Sequence, residues 1–144
     1  MSLPDPNYEP EFYHALPIKR ALAWAVDMVI VLVLLLVTLA LTAFLGVLIL
    51  PVLFVCVSIA YRWVTLKNYG ATYGMMLVGI KLRRLDGSNA DSTACAIHAT
   101  VFSLVQMFFL PQIFSIALIL TTPYRQSLAD MLVQTTMINR YYIE

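Results

Sequence analysis

Long uncharged apolar stretches alternate with short polar connections along this chain. Residues 28–61 carry no charge, and between Ala21 and Tyr61 the one charged side chain is Asp27. An apolar run of ~18 residues or more reads as a membrane span, and about 20 residues cross the hydrocarbon core. The uncharged run is too long for one span and about right for two. Gly46 and Pro51 fall near its middle. A tight hairpin is therefore predicted at 42–46, between a first helix over about 18–43 and a second over about 47–66. Pro17 stands where the first helix starts and Pro51 in the first turn of the second, both positions that tolerate proline.

Residues 68–92 form a polar connection. Within it Ile80-Lys81-Leu82-Arg83 alternates apolar and basic side chains, a strand period, and Asp86-Gly87 supplies a turn. Asp91 or Ser92 suits the N-cap of the next helix. The stretch that follows is again uncharged to Thr122, but Pro111-Gln112 interrupts it. It is either one kinked span or a hairpin of two helices, about 93–110 and 112–130, turning at Pro111. Each arm then has about 17 to 19 residues, near the lower limit for spanning. Residues 134–141 are rich in β-branched and aromatic types. If they pair with 80–85 as a small surface sheet, both must lie on one face, which favours the hairpin. The fold class is an all-α polytopic membrane protein. It has three to four transmembrane or re-entrant helices and a small strand pair on the cytoplasmic face. Residues 1–17 form a cytoplasmic leader, and 18–144 a single membrane domain.

Charge position sets the orientation. Lys19 and Arg20 precede the first helix, Arg62 and Lys67 close the second, and Lys81, Arg83 and Arg84 lie in the connection. Basic residues flank cytoplasmic ends, so these ends and the N-terminus are expected inside. Trp24, Tyr61, Trp63 and Tyr69 fit an aromatic belt at the same boundary. The leader holds Asp5, Glu9 and Glu11 but no Lys or Arg, unlike a signal peptide, so the first helix is expected to persist.

Composition narrows the classes. The 144 residues are 61% hydrophobic and 12% charged, about half the charged share of a soluble domain. Nine basic residues against eight acidic give a net charge of +1, which makes no case for nucleic acid. Cys56 and Cys95 sit in or beside apolar segments and read as small apolar side chains, with no zinc or disulfide pattern. No cofactor is expected.

Asp27 is the first candidate for chemistry. It lies about two turns into the bilayer, where a carboxylate costs roughly 2.5–3.5 kcal/mol without a partner. It is a proton or cation site, or a polar clamp for helix packing. Arg20 is seven residues earlier, on nearly the same helix face but about 10 Å away along the axis, too far for an easy direct ion pair. Arg125 could pair with Asp27 or with Asp130, and Asp130 could instead cap the strand start. Arg62, Lys67, Lys81, Arg83 and Arg84 could contact anionic lipid head groups or simply set topology. His14 and His98 have no metal-ligand spacing and read as exposed or satisfied side chains. No nucleophile–base–acid set or phosphate loop is visible, so an enzyme is not expected and no metal site is assigned.

These residues resemble the RDD family, named for one arginine and two aspartates. Its first element is Arg20, Ala23 and Asp27 ahead of an apolar run. The second is Gly70-Ala71-Thr72-Tyr73-Gly74, then Gly79-Ile80-Lys81-Leu82 and Asp86-Gly87. The third is Gln126-Ser127-Leu128-Ala129-Asp130, then Thr135. Met75, Gln134 and His98 stand where many members carry a basic residue, a glycine and an arginine. The resemblance implies a bacterial-type inner-membrane, multi-pass protein with Arg20, Asp27 and Asp130 as its signature polar residues. Two functions follow as expectations. One is an accessory or regulatory subunit, associating through its helix faces with another integral membrane protein. The other, suggested by cation/proton antiport proposed for some members, is a homo-oligomeric transporter using Asp27. Membrane lipids are partners in both.

Overall fold

A computed structural model describes residues 3–140. The first helix, α1, runs Leu16–Leu41, with Pro17 in its first turn. Its buried side chains are Leu16, Arg20, Ala23, Asp27, Val31, Leu35 and Leu39, an inward stripe at three- and four-residue spacing. Arg20 and Asp27 both lie on that stripe. The chain reverses at Ala43 and Phe44, which take left-handed φ of 48° and 63°. A 3-10 turn at Leu45–Ile49 then leads into α2, Leu50–Tyr69. The second helix thus starts later than 47, because the hairpin consumes the residues ahead of Pro51. It also runs on past 66, to Gly70, whose φ of 68° ends it while its amide donates to the Leu66 carbonyl at 2.8 Å.

A short helix α3, Tyr73–Leu77, and strand β1, Ile80–Arg84, occupy the polar connection. Asp91 caps the next helix, α4, Ser92–Met107, by accepting from the Ala94 amide at 3.3 Å. The chain then breaks at Phe108, in extended backbone, and not at Pro111. Pro111 sits in the first turn of α5, Phe109–Thr121, where a missing amide costs nothing. This helix stops well short of 130. Thr122 precedes Pro123 and is pushed to extended backbone (ψ 144°). A separate short helix, α6, Leu128–Leu132, and strand β2, Thr135–Asn139, complete the fold. Tyr141 lies outside the described residues.

The two strands pair antiparallel, Ile80 opposite Asn139 and Arg84 opposite Thr135. They gather the helix ends. Lys19 near the start of α1 donates to Asn139 Oδ1 at 2.6 Å, and the Leu82 amide donates to the Gly70 carbonyl at 2.9 Å. Strand β1 leads into α4 and β2 follows α6, so the chain between them leaves the sheet and returns to it. Residues 92–132 are therefore a helical hairpin. The leader is not a separate tail: Tyr13 is buried, its hydroxyl donates to the Pro4 carbonyl, and Asn139 Nδ2 donates to the Glu11 and His14 carbonyls.

The main apolar cluster sits at this sheet end and includes Leu16, Leu66, Met75, Ile80, Leu82, Met137 and Ile138. Farther along the long helices most apolar side chains face outward. Only 28% and 22% of the most apolar windows of the first and second long helical segments are buried. A core helix of a water-soluble protein would bury most of its residues. Both segments are long and apolar enough to cross a membrane. With 16 and 13 residues, α4 and α5 are shorter than the ~20 a straight span uses.

Candidate functional site

The signature residues lie in two neighbouring buried clusters. The first is built on Asp27, 1% exposed. Oδ1 accepts from the Tyr61 hydroxyl at 2.7 Å and from the Gly74 amide at 2.9 Å. Oδ2 accepts from the Thr72 hydroxyl at 2.7 Å, and Arg62 Nη2 stands 3.6 Å away. Thr72 also caps α3, accepting from the Met75 amide at 3.3 Å. One carboxylate thus ties α1, α2 and the start of α3 together. Gly74 makes this possible. A Cβ there would stand 2.2 Å from the Ala23 carbonyl oxygen and 2.8 Å from Asp27 Oδ1. Only glycine lets the α3 backbone approach so closely.

The second cluster is built on Asp130, fully buried in α6. Arg20 Nη2 donates to Oδ2 at 2.7 Å, and the Ser127 amide and hydroxyl donate to the same oxygen at 2.8 and 2.7 Å. Ser127 in turn accepts from the Asp130 amide, a capping box on α6. His98 Nε2 lies 2.8 Å from Oδ1. Burial alone would raise the Asp130 pKa. The Arg20 guanidinium foremost, then the His98 and Ser127 hydrogen bonds, outweigh that and hold it well below the usual carboxylate range. This cluster joins α1, α4 and α6.

A partly open cavity of about 540 Å³ lies beside both clusters. Pro17, Ala21 and Trp24 of α1 face Ile116, Ile119 and Leu120 of α5 across it. Its polar groups include Arg20, Asp27, Arg62, Gln106, Gln112 and Ser115. Arg62 Nε, Gln106 Oε1 and, beside the Asp130 carboxylate, His98 Nδ1 are buried with no hydrogen-bond partner among the described residues.

The structure brings Arg20 and Asp130 into direct contact and seats Asp27 next to them. Arg125 meets neither carboxylate. Its guanidinium donates to the Leu120 carbonyl, and only its own carbonyl touches the cluster, accepting from Arg20 at 3.3 Å. Arg62 is not on a lipid-facing surface: it is 5% exposed, with its guanidinium 4.0 Å over the Phe102 ring. Arg125 was expected to pair with Asp27 or with Asp130; the guanidinium beside Asp27 is that of Arg62 and the one on Asp130 that of Arg20. Lys67 is exposed beside Trp63, and Lys81 is half-buried. Arg83 donates to Asn89, and Arg84 pairs with Asp91 at 3.2 Å. Tyr61, Thr72, Gly74, His98 and Ser127 were not named as site residues. Thr72, Gly74 and Ser127 stand inside the family elements, and His98, read as an exposed or satisfied side chain, carried a signal of its own as an ionisable group in an apolar helix. Among the described residues no group of three His, Cys, Asp or Glu side chains could hold a metal ion.

No curated protein and no solved structure matches the chain. The RDD family model matches residues 14–134, a span that holds both clusters. That family is membrane-associated, in keeping with the two long apolar helices. This chain belongs to the RDD family.

Proposed function

We propose that the protein is a non-catalytic accessory or regulatory subunit of the inner membrane, joined through the outer faces of α1 and α2 to a larger integral membrane partner. The observation that carries this reading is the saturation of Asp27. Both oxygens are taken by three donors from two other chain segments, which suits a clamp better than a carboxylate that exchanges a passing ion. The Arg20–Asp130 pair serves the same end for α4 and α6. What remains for function is the exterior, where Leu32, Leu36, Leu48 and Val52 stand exposed. The sheet and the N-terminus lie on the cytoplasmic side in this reading, with Lys67 and Arg83 toward lipid head groups.

Extraction of the tagged chain in mild detergent, followed by identification of what travels with it, tests the proposal. Stoichiometric recovery of a larger membrane complex is the expected result. Recovery as a homo-oligomer free of other proteins contradicts it.

A second reading rests on the position of Asp27 at the cavity wall. There the protein is an oligomeric cation or proton transporter. Reconstituted flux that Asp27→Asn abolishes without loss of assembly is its signature.

A further inference from the structure

The cavity between α1 and α5 has a polarity that neither clamp uses. Two guanidiniums, Arg20 and Arg62, border it against one carboxylate, Asp27. Arg20 is committed to Asp130. Arg62 is held more loosely, by a long ion pair to Asp27 and by the Phe102 ring. Its nearest carboxylate already accepts three hydrogen bonds, and its Nη2 stands 3.6 Å away. Its Nε is buried and has no partner among the described residues. Desolvating a donor of a charged group without a partner costs free energy, so Arg62, which lines the cavity, gains from an added acceptor. Guanidinium is also the side chain whose donors best match an oxyanion. Gln106 lines the same wall and adds an amide for a head-group hydroxyl.

Apart from Gln112 and Ser115 the rest of the wall is apolar: Trp24, Val105, Ile116, Ile119 and Leu120 among others. A volume of about 540 Å³ falls inside the ~300–1,000 Å³ range of small-ligand sites. The rim is formed by exposed side chains of α1 and α5, Trp24 at 40% and Leu120 at 56%. An apolar trough open at its side, with one underused guanidinium at its base, has the complement of an amphiphile.

The geometry points to a binding site for a single-chain anionic lipid, its phosphate on Arg62, a head-group hydroxyl on Gln106 and its chain between α1 and α5. This goes beyond the accessory reading and does not depend on which partner the protein joins.

Trp24 gives the experiment its reporter. The chain has two tryptophans, and Trp63 lies outside the cavity lining. In a Trp63→Phe background, the full-length protein in detergent is titrated with lysophosphatidate carrying a dibrominated acyl chain. The matching monoacylglycerol is the neutral control. Saturable quenching of Trp24 by the phosphate-bearing lipid is expected, at least about tenfold tighter than the control, the scale of a charge-assisted hydrogen bond. Arg62→Gln should remove that preference. Because Arg62 also neighbours Asp27, a second variant is included: Ala21→Phe fills the cavity from an exposed position of α1, away from both carboxylates, and should abolish saturable quenching. Equal quenching by the neutral lipid overturns the proposal, as does indifference of the folded Arg62→Gln protein. Displacement of the probe by millimolar inorganic phosphate also overturns it, by showing that the site takes the free anion and not the lipid.

Discussion

The backbone amide of Gly74 donates to Oδ1 of Asp27 at 2.9 Å, in a place where a Cβ on Gly74 would stand 2.2 Å from the Ala23 carbonyl oxygen. The second glycine of the Gly-x-Thr-x-Gly element is thus a spacer of zero thickness between α3 and α1. The threonine inside the same element supplies the hydroxyl for the other oxygen. The motif and the distant aspartate are two halves of one joint.

Gly74→Ala should break that joint. The methyl group meets backbone rather than a movable side chain tip. Overpacking costs about 1–3 kcal/mol, and loss of the buried amide bond adds about 1 kcal/mol. Thermal melting in detergent is expected to show a drop of several degrees, accompanied by faster proteolysis in the connection around 70–79. An unchanged melt means α3 is not held as described.

Arg20 and Asp130 should behave as a coupled pair. Arg20→Met leaves a buried carboxylate supported by His98 and Ser127 alone, a change of the kind that costs about 3–5 kcal/mol. Adding Asp130→Asn should recover part of that loss, because no uncompensated charge remains. A double-mutant cycle on melting free energies is expected to give a coupling above about 1 kcal/mol. Simple additivity contradicts a direct pair.

Acid should loosen the same cluster. Asp130 has a folded-state pKa below its unfolded value of ~3.9. Its contribution is therefore complete above about pH 4 and drains away as pH falls further toward the folded value. Melting temperatures measured from pH 6 to pH 3 should fall more steeply below about pH 4 for the wild type than for Asp130→Asn. Parallel curves exclude this carboxylate as the source.

Gln134 offers a change in the opposite direction. It takes φ of 52° just before β2 while its carbonyl accepts from the Leu85 amide at 2.9 Å. A side chain in left-handed backbone costs roughly 1 kcal/mol that glycine avoids. Gln134→Gly should raise the melting temperature by a few degrees. A lower value implies that the glutamine side chain contributes more than its backbone costs.

How far the sequence could be read follows from the kind of signal each feature leaves. The two long helices were legible because an uncharged run of that length has few other uses. Strands β1 and β2 were legible because Ile80-Lys81-Leu82-Arg83 alternates and Thr135-Thr136-Met137-Ile138 is rich in β-branched residues. Helix ends were less so. The left-handed pair at Ala43 and Phe44 delays α2, and nothing in those two side chains announces it. The end of α5 was readable in principle at Thr122-Pro123, yet the length a spanning arm needs carried the expected helix to 130.

Pairing was the hardest part. Arg20 and Asp27 share a face, as seven-residue spacing dictates, but each finds a partner far along the chain: Asp130 for Arg20, and Tyr61, Arg62, Thr72 and Gly74 for Asp27. Charge and position alone set Arg125 as the possible partner of an aspartate and Arg62 toward lipid head groups. Geometry separates them, since Arg62 points inward from α2 while Arg125 caps the end of α5 at Leu120. A backbone donor such as Gly74 leaves no polar side chain to notice.

The central claim is that Asp27 is a structural clamp, and the melting temperature of purified Asp27→Asn tests it most directly. The amide keeps the shape of the carboxylate but replaces one acceptor by a donor that faces Thr72 and Arg62, or Tyr61 and Gly74. With a loss of about 2–3 kcal/mol for a charged, buried hydrogen-bond set, the midpoint should fall by roughly 5–10 °C. A midpoint equal to the wild-type value contradicts the clamp and returns Asp27 to the role of an ion site.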